Sequence, residues 1–222
     1  MHRYSFNDWD SSDSYGGAEW NGAAHDVTFN GSSAAFGPNG YISLPGGCFE
    51  SSTTVSLEMW VTTDPIVDNS FCQRLLAFGS GSDDLLLGAC GESSAYVYIE
   101  GSNEGASSTP LYGQTGQHIV LVVSNAAEMK LYVNGYLSAT SVGIYPLKSD
   151  DTFIIGASLG MHQSLTGSFD EFRIWRGALS SSRIYENFLA GPNGNLPNPV
   201  AQPTPTAKPT LIPQGIVIAI IS

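Results

Sequence analysis

The sequence is short of positive charge, of cysteine and of helical pattern, and each shortage closes a class of function. Lysine and arginine number 8 against 20 aspartates and glutamates, for a net charge of −12. Nucleic acid and anionic membrane surfaces are excluded as partners, because neutralising phosphate takes Lys and Arg. An acidic chain suits calcium, neutral ligands such as glycans, or a basic partner; the same charge also serves plain solubility. There are three cysteines and no CxxC, so neither a zinc ribbon nor a thioredoxin-type site is indicated. The four histidines (His2, His25, His118 and His162) show no HExxH or other ligand spacing. No internal repeat is found. No secretory signal is visible, since Met1 is followed at once by the strand-like "HRYSFND"; a secreted form implies an N-terminus that was processed, mis-assigned or cut.

What is there is β-rich. The 222 residues suit one large all-β domain or two small ones, and 42% hydrophobic with 11% aromatic residues can bury a real core. Short runs such as "HRYSFN", "DVTFN", "GYISL", "AYVYIE", "HIVLVV" and "TFIIGA" are punctuated by Gly, Ser and Asn. In "TVSLEMWVTT" (54–63), Val55, Leu57 and Met59 face one way and Ser56, Glu58 and Trp60 the other. Asn134-Gly135 in "YVNGYL" supplies the positive φ angles of a type I′ turn, so 129–140 is expected as a tight hairpin. Only 180–190 reads as helix. Ser180 is its cap, Leu179 and Ile184 stand in staple positions, and Gly191-Pro192 ends it. Ile184, Tyr185, Phe188 and Leu189 are expected to form its apolar face. More than ten short strands and one late helix predict an all-β, two-sheet antiparallel jelly-roll sandwich with one short C-terminal helix.

Residues 193–212 change character to Pro, Thr and Ala, which reads as a linker or stalk. Residues 213–222 carry the uncharged run "IVIAII". It falls far short of the roughly 20 residues that cross a bilayer. Its exposure would be an aggregation hazard, so the expectation is the opening of a truncated transmembrane helix. A short, disordered tail is the alternative.

The order of motifs resembles a laminin-G-like jelly roll of the concanavalin A-like lectin/glucanase superfamily. The pieces are "YSFNDWDSSDSYGG", "AAFGPNGYISLP", "TVSLEMWV", "HIVLVVSNAAEMKLYVNGYL", "IIGAS" and "TGSFDEFRIWRGALSSSRI". Together they cover about residues 1–192. Gln117 departs from the pattern, where such domains usually carry Trp. The resemblance implies a concanavalin A-like fold whose last strand lies beside the first. On that last strand Asp170, Phe172 and Ile174 are expected on one face, and Phe169, Glu171, Arg173 and Trp175 on the other. It also implies a structural calcium ion near Asp170, with Asp8, Asp10 and Asp13 of the N-terminal turn as oxygen donors. The alternative is that Asp170 bonds backbone N–H groups of that turn.

Catalytic signals are thin. "GASLG" (156–160) fits G-x-S-x-G around Ser158, but the motif needs a strand-to-helix elbow and a loop and strand follow instead. The paired-carboxylate signature of glycanases on this superfold, E-x-D-x-x-E, is absent; "SLEMWV" offers Glu58 alone. Trp9, Tyr15 and Trp20, in an acidic, Gly-rich loop, are candidates for a sugar platform, with edge-capping as the alternative. Trp60 and Trp175 read as core.

Cys72 and Cys90 are equidistant from the turn near Gly81, so hairpin pairing sets them opposite each other, where a disulfide is sterically allowed. Cys48 would be the odd one; three free thiols are the alternative. The single N-glycosylation triplet is "NGS" at Asn30. The resulting expectation is a non-catalytic binding or adhesion module, extracellular or at the cell surface, that takes a glycan or protein ligand. Membrane anchoring would come through residues beyond the C-terminus. A glycan-active hydrolase on the same superfold is the alternative.

Overall fold

Alternation and turn chemistry resolve into strands along nearly the whole domain. The structure is a computed structural model. It describes residues 1–49, 52–65, 72–80, 83–90, 94–99, 102–111, 113–125, 129–141, 145, 147–148, 151–161 and 163–194. At 80, 83, 84, 89, 90, 94–99, 102–109 and 141 it describes the backbone alone. The Pro/Thr-rich segment after residue 194, the apolar tail and His162 lie outside the described residues.

The strands are β1 (His2–Tyr4), β2 (Ala23–Phe29), β3 (Ala34–Leu44), β4 (Thr54–Thr63), β5 (Cys72–Ser80), β6 (Asp83–Cys90) and β7 (Ser94–Ile99). They continue with β8 (Ser102–Pro110), β9 (Gln117–Ser124), β10 (Met129–Val133), β11 (Tyr136–Ser141), β12 (Thr152–Ile155) and β13 (Gly167–Arg176). One helix, α1 (Ser181–Ala190), follows, and a 3₁₀ turn occupies Ala18–Trp20. The pairing path runs β11-β10-β9-β4-β13-β3-β12-β5-β6-β7-β8, with β1 on β13 and β2 on β3, all antiparallel. The path curls so that its ends, β11 and β8, come together. This is the jelly-roll sandwich expected, and β13 does lie beside β1. Among the described residues no helix is long and apolar enough to cross a membrane.

The core follows from period-2 alternation. Val55, Leu57, Met59 and Val61 of β4 meet Ile119, Leu121 and Val123 of β9 and Phe153, Phe172 and Ile174 inside one cluster. The other face of β4 is also buried, because α1 covers it: Ser56 and Glu58 have no exposure and Trp60 has 3%.

One expectation about β13 needs correction. Its register against β4 shifts between Phe169 and Glu171, so Asp170 is the extra residue of a β-bulge. A bulge resets alternation. Phe169 therefore enters the core with Phe172 and Ile174 rather than joining Glu171, Arg173 and Trp175 on the opposite face.

The expected hairpin is present. Asn134 and Gly135 have φ of 50° and 83°, and a Cβ on Gly135 would lie 2.9 Å from the Tyr185 ring. The helix begins as read, with the Ser180 side chain accepting from Arg183 N at 3.2 Å. Leu179 and Ile184 pack together against Val120, Val122 and Tyr132. The helix face is rotated from expectation, however. Ile184 and Asn187 are buried, whereas Leu189 is 66% exposed. The physical reason is polar: Asn187 turns inward to reach Glu58.

Strand register sets Cys72 opposite Cys90. Cys72 is disulfide-bonded, and Cys48 is a buried free thiol. The Cys90 side chain lies outside the described residues.

Candidate functional site

The N-terminal turn was the expected metal site, and its acids differ in burial and bonding. Asp13 is buried and already partnered. Its Oδ2 pairs with His2 Nδ1 at 2.6 Å, and its Oδ1 accepts from the backbone N–H groups of Arg3, Tyr15 and Gly16 at 2.8–2.9 Å. Burial pushes the Asp13 carboxyl up, but the bonds from His2 and these amides outweigh it and hold the group below its ordinary value. Asp8 faces solvent. Asp170, on the bulge, is raised by burial, with no opposing partner. Among the described residues no group of three or more His, Cys, Asp or Glu is placed to hold a metal ion. Asp8, Asp13 and Asp170 are therefore not grouped as one set among the described residues. The turn's backbone amides, which the alternative reading gave to Asp170, donate to Asp13.

The three aromatics of this loop differ in exposure. Trp20 is partly buried, packs on the core and lies 4.8 Å from the His2 ring. Trp9 is 66% exposed and Tyr15 43%. Trp9 lies beside Gly31, whereas Trp20 lies beside His2.

Glu58, the lone acid of "SLEMWV", and Glu171 are both fully buried. Glu58 Oε1 accepts from His118 Nε2 and Asn187 Nδ2, each at 2.9 Å. Glu58 Oε2 accepts from Arg173 Nη1 at 3.2 Å and Trp175 Nε1 at 2.8 Å. Glu171 accepts from Arg3 and Arg173, and Arg173 Nη2 donates to the Pro192 carbonyl at 2.6 Å. The Arg173 guanidinium lies 4.6 Å from the Trp60 ring centre. Two carboxylates and two guanidiniums balance; Arg3 is partly exposed and the other three groups are buried. General acid or base work needs contact with substrate, and both carboxylates are closed off from solvent. Ser158 lies in the loop after β12 that runs into β13, so no strand-to-helix elbow presents it.

A groove with open access lies beside this sealed layer, where the outer face of β4, β9 and β10 meets the start of α1. Its volume is about 530 Å³. Tyr132, Leu179, Val122 and Ala178 provide apolar wall; Thr54, Ser124, Ser180 and Ser181 provide hydroxyls; Lys130 is the single charged residue lining it. Thr54 Oγ1 donates to Ser124 Oγ at 3.2 Å. The sequence reading missed this groove. Its signal was the alternation in "MKLYV", which points Met129 and Leu131 inward and therefore Lys130 and Tyr132 outward.

A family model for the concanavalin A-like lectin/glucanases superfamily, of the laminin-G type, matches residues 36–185. No curated protein matches the chain in sequence. Among solved structures, it is similar to domain 4 of the GH43 extracellular arabinanase AbnA from Geobacillus stearothermophilus, in complex with arabinotriose. The identity is 21% and the TM-score 0.67, over 83% of this chain and 96% of that one. It is similar to Trypanosoma rangeli sialidase at 18% identity and TM-score 0.66, over 85% of this chain but 32% of the sialidase. It is also similar to the binding domain of Botulinum neurotoxin DC in complex with SialylT. There the identity is 13% and the TM-score 0.62, over 83% of this chain and 51% of that one. At these identities the likeness shows the fold.

Proposed function

The chain belongs to the laminin-G type of the concanavalin A-like lectin/glucanases superfamily, and we propose that it is a non-catalytic, extracellular glycan-binding module. The observation that carries this reading is the groove. At about 530 Å³ it suits a short oligosaccharide, and it joins an aromatic ring, four hydroxyl-bearing residues and one ammonium. Sugars are bound by such a mix: apolar wall for their C–H faces and hydroxyls for their hydroxyls. Glu58, the one acid that the glycanase comparison left, is buried beneath α1 with both oxygens bonded. Coverage of 96% of an arabinanase domain whose structure holds arabinotriose supports a glycan ligand, as does the toxin binding domain's sialylated ligand. The arabinanase is extracellular, which supports the location.

The test is a glycan array run beside a hydrolysis assay on the hits. Lys130→Glu and Ser181→Trp alter the groove at exposed positions, the second by filling its mouth. Both should lose at least about tenfold in affinity, the 1.4 kcal/mol scale of one good polar contact, at unchanged Tm. Full binding by both variants would move the site elsewhere, and cleavage of a hit by the purified chain would overturn the non-catalytic reading.

A further inference from the structure

The turn between β2 and β3 holds an acceptor triplet, with Trp9 of the N-terminal loop against it. Asn30-Gly31-Ser32 turns between β2 and β3, and Asn30 is exposed. Its Oδ1 accepts from Ser32 N at 2.9 Å, Ser33 N at 2.8 Å and Ser32 Oγ at 3.0 Å. Two backbone N–H donors can face only an acceptor, which fixes the amide orientation. Nδ2 therefore points away from the turn, and it makes no hydrogen bond among the described residues.

Trp9 lies against the middle of this triplet. A Cβ built on Gly31 would stand 2.8 Å from Trp9 Nε1 and Cε2 and 3.0 Å from Cζ2. Gly31 also has φ of +82°, so position 31 excludes a side chain twice over. Trp9 itself holds φ of +65°, a conformation uncommon for a bulky residue, yet its ring remains 66% exposed. Strain that serves no burial in the chain points to a use outside it.

We propose that Asn30 carries an N-linked glycan in the secreted protein, and that the Trp9 indole is the surface on which the glycan's first sugar packs. The donor is an oligosaccharide linked to a polyprenyl diphosphate. Asn30 Nδ2 attacks its anomeric carbon, the Nδ2–C1 bond forms, the C1–O bond to diphosphate breaks, and the amide proton passes to the transferase's base. The folded domain supplies room at Nδ2 and an apolar face beside it, which suits the C–H face of a pyranose. Trp9 then serves the protein's own glycan, whereas the groove at Lys130 and Tyr132 serves a free one.

The test is expression of the whole 222-residue chain behind a cleavable secretion signal in a eukaryotic host. Peptide N-glycosidase should lower the mass and leave Asp at position 30, with no shift in Asn30→Gln or Ser32→Ala. N-bromosuccinimide should then oxidise Trp9, followed by peptide mapping, several-fold faster after the glycan is removed. Secreted protein with unmodified Asn30 would overturn the modification. Equal oxidation rates with and without the glycan would overturn the packing on Trp9.

Discussion

Replacing Glu58 by Gln tests whether the sealed layer under α1 is held by charge. The change keeps the side chain's shape and removes its negative charge. Four donors surround the carboxylate: His118 Nε2, Asn187 Nδ2, Arg173 Nη1 and Trp175 Nε1. Glutamine has one acceptor oxygen, so two of the four would face an NH₂ group instead. Arg173 would keep Glu171, but Arg3 shares Glu171, and one guanidinium charge would be left uncompensated where exposure is 1%. Breaking one partner of a buried pair costs about 3–5 kcal/mol. For a domain of this size each kcal/mol lowers Tm by about 2–4 °C, so a fall of about 6–20 °C is expected by calorimetry or circular dichroism. Glu186→Gln is the control. Its partner Arg183 lies 3.5 Å away at the surface, and such a pair is worth about 0–1 kcal/mol. Acid titration gives a second reading. Burial would raise the Glu58 carboxyl, but the His118 bond, the Arg173 charge and the Asn187 bond together hold it below its ordinary value. A group depressed in the folded state contributes stability above its unfolded pKa and loses it as pH falls through the folded one. Wild-type stability should therefore drop below about pH 4, near the ordinary carboxylate value, and that drop should shrink in Glu58→Gln. A Tm within the control's range, with an unchanged acid limb, would refute the reasoning.

The cysteines give a second prediction: non-reducing peptide mapping should find Cys72 joined to Cys90. Reduction should cost about 3 kcal/mol, the scale for a loop of roughly 15 residues. Cys48, whose thiol burial pushes up to about 12, should resist alkylation at pH 8 until the protein unfolds. Bridging through Cys48, or its rapid labelling when folded, would contradict the assignment. The N-terminal turn gives the third: EDTA should leave Tm unchanged, because the Asp13 oxygens are already bonded to protein donors. A fall that calcium restores would mean that other oxygens on the turn hold an ion.

What the sequence made legible was local or ordered. Asn134-Gly135 declared its hairpin through turn chemistry, and Ser180 with Leu179 and Ile184 declared the helix start. The succession of motifs from "YSFND" to "FDEFRIW" implied that β13 would close against β1. What stayed hidden depended on partners far away in the chain. β8, "SNEGASSTP", has little intrinsic strand preference and exists through its pairing with β7. Asn187 reads as a solvent-facing residue until Glu58, 129 positions earlier, is placed beneath it. The Asp170 bulge leaves no mark in a strict alternation count; only the burial of both Phe169 and Phe172 reveals it.

That bulge explains why two acids stand side by side in "SFDEF". Without it, strict alternation would turn Phe169 to the outer face with Glu171, or would turn Glu171 into the apolar core. By taking up one residue, Asp170 lets Phe169 and Phe172 share the core while Glu171 reaches Arg3 and Arg173 outside it. Arg3 belongs to β1, Glu58 to β4, His118 to β9, Asn187 to α1, and Pro192 to the segment that follows the helix. Each is joined to Arg173 directly or through one carboxylate. Apolar side chains of equal volume would bury as well, but they would accept many small rotations of α1 over the sheet. A carboxylate with four directional donors accepts few. The groove at Lys130 and Tyr132 has α1's first residues as one wall, so the layer that fixes α1 also fixes the width of the proposed sugar site.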